Sequence, residues 1–230
     1  MECLVVAGSA AEDRLDFYRA LLRQADDVVA ADGGAALCLA AGRLPDLAVG
    51  DFDSLAESDE KALRMADVLI ERHPAEKDAT DLDLALDAVV RRGHRRVTVT
   101  ACIGGRLDHT LAVLGSMAHH ASLEIDVLEP DVSGWVIGSR NGRAATLDLA
   151  GQESLVSVFA MDAGVTVTLE GFRYPLNEAR LPVLSSLGVS NIIDSKRARI
   201  RSRGGRLVVL SPSAEGHSAA QRAVQGPEVV

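Results

Sequence analysis

Asp51-Phe52-Asp53 follows the apolar run Leu47-Ala48-Val49-Gly50 and sets two carboxylates one residue apart. On an extended chain alternate side chains share a face, so Asp51 and Asp53 would project to one side and Phe52 to the other, into a core. Two carboxylates at a strand end suit Mg²⁺, which takes oxygen ligands and keeps phosphate oxygens and waters for the rest of its shell. The alternative reading is a helix cap at Asp53 or Ser54 beside a solvated Asp51. Three further clusters carry groups of the same kind. In Asp32-Gly33-Gly34 the glycines either admit a phosphate to backbone at a helix start or form an ordinary tight turn. In Lys77-Asp78-Ala79-Thr80-Asp81 the segment can supply a metal ligand and a phosphate contact, although Asp81 is also favoured simply by a helix dipole. In Gly104-Gly105-Arg106-Leu107-Asp108-His109, Arg106 offers a planar fork of donors to phosphate, while Asp108 either caps a helix or fixes Arg106. His109 is a proton-shuttle candidate, with a local hydrogen bond as the plainer reading.

The elements that must position these groups change character along the chain. Up to residue 128, short apolar runs at 3–7, 28–31, 47–49, 68–70, 97–101 and 125–128 alternate with helical patterns at 13–24, 35–41, 58–66, 80–92 and 108–121. That alternation predicts a parallel sheet covered by helices. Residues 80–92 show the helical pattern best, with Leu82, Ala85, Leu86 and Val89 on one face and Thr80 as the cap. All four clusters then fall at the carboxyl ends of strands, on the one sheet edge where a single ligand meets them together. After Pro130 the period becomes two, as in Val165-Thr166-Val167-Thr168-Leu169, and residues 155–159, 197–201 and 207–210 are further strand candidates of an antiparallel half. Pro, Gly, Ser and Asn collect in 130–141, which reads as the boundary.

With 230 residues the chain has room for two domains and a substantial core. A net charge of -9 argues against a nucleic-acid or anionic-membrane surface, yet is compatible with ATP when Mg²⁺ supplies local positive charge. Cys3, Cys38 and Cys102 are scattered and lack metal-type spacing, which suits a reducing cytoplasm. No basic leader precedes the first apolar run, and no stretch approaches the roughly 20 apolar residues of a membrane span.

Taken in order, the motifs resemble the thiamin pyrophosphokinases, or thiamin diphosphokinases. The resemblance runs through Asp32-Gly33-Gly34, Pro45-Asp46, Gly50-Asp51-Phe52-Asp53-Ser54, Lys77-Asp78 with Thr80-Asp81, and Gly104-Gly105-Arg106 with Asp108-His109. It continues in Tyr174-Pro175-Leu176 and Gly188-Val189-Ser190-Asn191, so that residues 5–210 are covered. It implies Mg²⁺-dependent transfer of the diphosphoryl group of ATP to the hydroxyethyl oxygen of thiamin, with AMP as the second product. By the same resemblance Asp51, Asp53 and Asp78 would hold the metal, joined by Asp32 or Asp81, and Arg106 would join those three in catalysis. Asp32, Gly33, Gly34, Lys77, Asp81, Gly104, Gly105 and Asp108 would line the nucleotide, and Ser190 and Asn191 would contact thiamin. The implied architecture is a Rossmann-like α/β ATP-binding domain over 1–135, a β-sandwich thiamin-binding domain over 140–212, a flexible tail over 213–230, and a homodimer with shared sites.

Two positions depart from the family pattern: Ala101 stands where a glycine is common, and Val113 where an asparagine is. Trp135 is expected to pack between domains, and Arg197, Arg199, Arg201 and Arg203 to form a solvated basic stripe on a strand. Two rival functions use the same residues. One is a phosphatase with Asp51 as nucleophile and Asp53 as acid/base; the other is a thiamin or nucleotide sensor without turnover.

Overall fold

A computed structural model describes residues 3–9, 12–120, 122–138 and 144–212. The chain divides into two compact units, Met1–Pro130 and Asp131–Val230.

In the first unit strands and helices alternate as β1 (Cys3–Val6), α1 (Leu15–Gln24), β2 (Asp27–Ala31), α2 (Gly34–Ala41), β3 (Leu47–Gly50), α3 (Glu57–Met65), β4 (Leu69–Arg72), α4 (Asp81–Arg91), β5 (Arg96–Thr100), α5 (Leu107–His119) and β6 (Glu124–Leu128). The six strands are all parallel, in the order β4-β3-β2-β1-β5-β6. Strands β1 and β3 are buried at every residue, which is why they read as unbroken apolar runs rather than as alternation. Thr80 caps α4 in a reciprocal box, its hydroxyl accepting from Asp83 N–H while the Asp83 carboxylate accepts from Thr80 N–H. Leu82, Ala85, Leu86 and Val89 are the buried face of that helix, as their spacing requires.

The chain winds from β1 out to β4 and then returns to the other side of β1 with β5. The turns leaving β1 and β5 therefore run in opposite directions, which makes the carboxyl edge at these two strands the switch point of the sheet. This order differs from the 3-2-1-4-5-6 arrangement of the two-halved dinucleotide fold, although the switch-point logic is shared.

The second unit holds two antiparallel sheets. One runs β12 (Asn191–Ile192), β9 (Leu155–Ala160), β14 (Arg206–Pro212), β7 (Val132–Gly138); the other runs β11 (Leu176–Arg180), β10 (Thr166–Glu170), β13 (Arg197–Arg203), β8 (Ala145–Ala150). Alternate residues of both sheets, among them Val156 and Val158, Val167 and Leu169, Ala198 and Ile200, and Leu207 and Val209, fill one shared core. Residues 132–138, expected within the boundary, are strand β7, because Ser133 and Gly134 are tolerated in a strand paired along its length with β14. Trp135 is buried with Ile137 in the core of this unit, not between domains as expected, since the period of the strand turns both rings and branches inward. In the arginine stripe, Arg199 forms a bidentate pair with Asp148, its cross-strand neighbour, and Arg203 pairs with Glu178, while Arg197 and Arg201 are exposed. The expected tail, 213–230, lies outside the described residues. No helix among the described residues is long and apolar enough to cross a membrane.

Candidate active site

Strand β3 ends at Gly50, and the carboxylates that follow it are placed by a turn rather than by strand alternation. Phe52 takes a left-handed conformation, φ 62°, and buries its ring in the core. The reversal brings Asp53 N–H to 3.1 Å from Asp51 Oδ1, so the first carboxylate is fixed by the backbone of the second. Asp32, also left-handed at φ 44°, leaves β2 beside this turn, and Ser54 Oγ donates to its Oδ2 at 2.6 Å. Carboxylate oxygens of Asp32, Asp51 and Asp53 all lie within 4.8 Å of one another. Asp32 Oδ1 is buried without a hydrogen-bond partner. A buried carboxylate oxygen left in that state is costly unless a cation meets it, and three converging hard oxygen donors fit Mg²⁺. The expected third carboxylate, Asp78, is exposed and outside this cluster; Asp32 takes its place, because β2 and β3 are adjacent while Asp78 sits before the cap of α4.

Lys77 joins this group to the helix start. Its ammonium lies 3.1 Å from Asp51 Oδ2 and 3.1 Å from Asp81 Oδ1. The Asp53 N–H bond and then Lys77 hold the Asp51 carboxyl below its ordinary range. Burial pushes Asp81 the other way, upward, with the charges of Asp32 and Asp51 adding and Lys77 opposing. Burial works against the Lys77 ammonium, but its bonds to Asp51 and Asp81 prevail and raise its pKa. Arg72 was not among the expected site residues. It donates to the Asp51 carbonyl at 2.6 Å and to Glu60 at 2.6 Å, with its guanidinium carbon 5.1 Å from the Phe52 ring centroid. The signal for it was the polar Glu71-Arg72 end of an otherwise apolar strand.

The glycine turns bring backbone close to backbone. A Cβ on Gly34 would fall 2.0 Å from the Val6 carbonyl oxygen, so α2 starts directly against the end of β1. Gly33 faces Gly8, whose own Cβ would meet the Gly33 backbone at 3.4 Å. Gly8 was also missed, for want of a second glycine or a charge beside it. At the end of β5, Gly104 and Gly105 have φ 140° and 62°, conformations that favour glycine. Arg106 follows as the cap residue of α5, without a capping bond from its side chain. Its guanidinium grips Asp108 in a fork, at 3.2 and 2.6 Å, and this bond holds the Asp108 carboxyl down at about 2. Asp108 thus fixes Arg106 and does not cap the helix. Arg106, Asp108 and His109 are all exposed.

In the second unit Ser190 is exposed, left-handed at φ 57°, and donates its N–H to Ser157 Oγ. Asn191 is buried, and its amide grips the Tyr174 backbone, accepting from the N–H at 3.1 Å and donating to the carbonyl at 2.7 Å. Its side chain holds the Tyr174 loop in place, leaving Tyr174 itself 64% exposed.

Two family models match the chain: the thiamin pyrophosphokinase catalytic domain over residues 18–128 and the thiamin pyrophosphokinase vitamin B1 binding domain over residues 146–207. A thiamine pyrophosphokinase of Bacillus subtilis is 29% identical over 185 residues, which are 79% of this chain and 85% of that protein. The crystal structure of a thiamin pyrophosphokinase from Geobacillus thermodenitrificans superposes with a TM-score of 0.75 at 28% identity, covering 94% of this chain and 99% of the other. That of the Bacillus subtilis enzyme gives 0.76 at 24% identity, with 93% and 99% covered. Matched in both of its units by models of one family, the chain belongs to the thiamin pyrophosphokinases.

Proposed function

We propose that the protein transfers the diphosphoryl group of ATP to the hydroxyethyl oxygen of thiamin, releasing AMP and thiamin diphosphate. The observation that carries this reading is the convergence of Asp32, Asp51 and Asp53, with one buried oxygen lacking a partner, on the edge that also bears the glycine turns. Those three carboxylates would hold Mg²⁺ against the polyphosphate. When bound, the ion would neutralise charge on the phosphate oxygens and make the phosphorus more electrophilic. The close packing of Gly33 on Gly8 and of Gly34 on Val6 sets the start of α2 against the end of β1, so that the positive end of the helix dipole would face the phosphates. Lys77 keeps Asp51 charged and oriented, and Arg106, preset by Asp108, faces the charge of the transferring group. In the reaction the thiamin oxygen forms a bond to the β-phosphorus as the bond from that phosphorus to the α–β bridging oxygen breaks. AMP carries away the electron pair, and the hydroxyl proton is released. Catalysis is then positioning and electrostatics rather than covalent chemistry. On the thiamin side Ser190 contacts substrate, and Asn191 acts through the Tyr174 loop. The working form is a cytoplasmic homodimer.

The test is to incubate the purified protein with thiamin, ATP and Mg²⁺, omit thiamin in a control, and quantify AMP and thiamin diphosphate. Equal, thiamin-dependent formation of both supports the proposal. Inorganic phosphate without AMP would replace it with the phosphatase reading, and saturable thiamin binding without product with the sensor.

A further inference from the structure

We infer that Glu129 is a positioning residue whose buried side-chain oxygen sets the β5–α5 turn, and with it Gly104, Gly105 and Arg106. This rests on the reading of that turn as the phosphate side of the site.

Glu129 follows β6 and is 6% exposed. Its Oε1 accepts from two successive backbone donors of the turn, Cys102 N–H at 2.7 Å and Ile103 N–H at 3.2 Å. Its Oε2 lies 3.4 Å from the Tyr18 hydroxyl on α1, which donates to it. The residue before those donors, Ala101, is left-handed at φ 54°. A left-handed residue beside successive N–H groups makes a concave donor cradle, the kind of backbone arrangement that binds anions elsewhere. Here the chain supplies its own acceptor.

The rest of the turn depends on this anchor. Ser9 N–H donates to the Ala101 carbonyl at 2.7 Å and Thr100 Oγ1 donates to the Leu128 carbonyl at 2.6 Å, so the end of β5 is tied to both neighbouring strands up to Ala101. Beyond Ala101, Glu129 is what fixes Cys102 and Ile103 before two glycines with wide conformational freedom. Among the described residues, Tyr18 and Cys102 are ionisable groups that face Glu129, and burial raises the pKa of both the Glu129 carboxyl and the Cys102 thiol. A buried carboxylate disfavours folding relative to an apolar side chain unless its acceptors are needed, and two otherwise unsatisfied N–H groups need this one.

Two substitutions separate reach from charge. Glu129→Asp keeps the charge and retracts the oxygen by one methylene. Glu129→Gln loses the charge and keeps an acceptor in the Oε1 position, with an N–H toward Tyr18. Steady-state kinetics would be measured with ATP and thiamin varied separately, alongside hydrogen exchange at the Cys102 and Ile103 amides, which reads the turn without turnover. The expected result is a kcat/KM for ATP lower by about tenfold or more in Glu129→Asp, since small misplacements of positioning groups act strongly on rate. KM for thiamin should be unchanged and exchange at both amides faster. Glu129→Gln should stay within about threefold of the parent with both amides protected. Parent-like kinetics and protection in Glu129→Asp, or a defect in Glu129→Gln equal to that of Glu129→Asp, would overturn the inference. A parent protein that forms no AMP would defeat the proposed function, while amide exchange would still decide whether Glu129 fixes the turn.

Discussion

At the scale of single residues, the site is built around carboxylates that differ in what surrounds them. Asp51 is tied to Asp53 N–H and Lys77, and its pKa is lowered. Asp81, a neighbour through the same lysine, is raised by burial. Asp51→Asn and Asp53→Asn each remove a donor from the cluster that would face the polyphosphate. Turnover should fall by about 100-fold or more in assays of AMP release, and Asp51→Asn, which also loses its ion pair with Lys77, should have a slightly lower thermal midpoint. Lys77→Met tests the electrostatics directly. A folded-state pKa below the unfolded value gives Asp51 a contribution to stability that is present above the ordinary carboxylate pKa and lost as pH falls through the lowered one. Without Lys77 the Asp51 pKa rises and that of Asp81 rises further. The acid limb of the profile of kcat/KM against pH should therefore move to higher pH, and an unmoved limb would show that Lys77 does not hold Asp51 in its charged form. Asp32 was one of two residues that the family resemblance offered beside Asp51 and Asp53, and the sequence alone did not choose between it and Asp81. The partner of Asp32, Ser54, is 22 residues away, and only the pairing of β2 with β3 makes the two neighbours.

At the scale of elements, local chemistry was readable and long-range placement was not. The Thr80 cap and the buried face of α4 followed from residues within two turns of each other, and the alternation of strands with helices followed from period alone. The geometry after β3 did not, because an extended chain and a turn with left-handed Phe52 both turn Asp51 and Asp53 away from the core and bury the ring between them. Strand β7 was hidden by Ser133 and Gly134, and the role of Asn191 by the distance along the chain to Tyr174. Two substitutions probe how elements meet. Gly34→Ala forces a methyl to 2.0 Å from the Val6 oxygen at the β1–α2 junction. Loss of about 3 kcal/mol or more in denaturant unfolding is expected, since backbone rather than a flexible side chain must move. Ala101→Gly sets opposing effects against each other. A left-handed alanine costs about 1–2 kcal/mol, glycine in the unfolded chain costs about 0.5–1 kcal/mol, and the lost methyl, fully buried in the core, costs about 0.8 kcal/mol. The variant should stay within about 1 kcal/mol of the parent, seen as a nearly unmoved denaturation midpoint at unchanged slope.

At the scale of the molecule, two units of different texture are joined in one acidic chain with a formal charge of -9. The first unit carries the carboxylate cluster and the glycine turns; the second is a two-sheet sandwich with its own core. The place of β1 in the first sheet governs how the protein must be made. The strand nearest the start of the chain lies between β2 and β5, and Leu4 pairs with both Val28 and Thr98. As the polypeptide leaves the ribosome, β1 through β4 can associate early, but one side of β1 stays an open hydrogen-bonding edge until β5 has been synthesised. Closing such a distant pairing is slow, and an uncovered apolar edge invites wrong partners. Fragments ending before residue 96 should aggregate more than the full-length chain, as read by light scattering of chains of increasing length. The β1–β5 seam, whose turns carry the glycines that would face the nucleotide, is thus also the pairing of this sheet with the longest reach along the chain, so binding competence waits for β5.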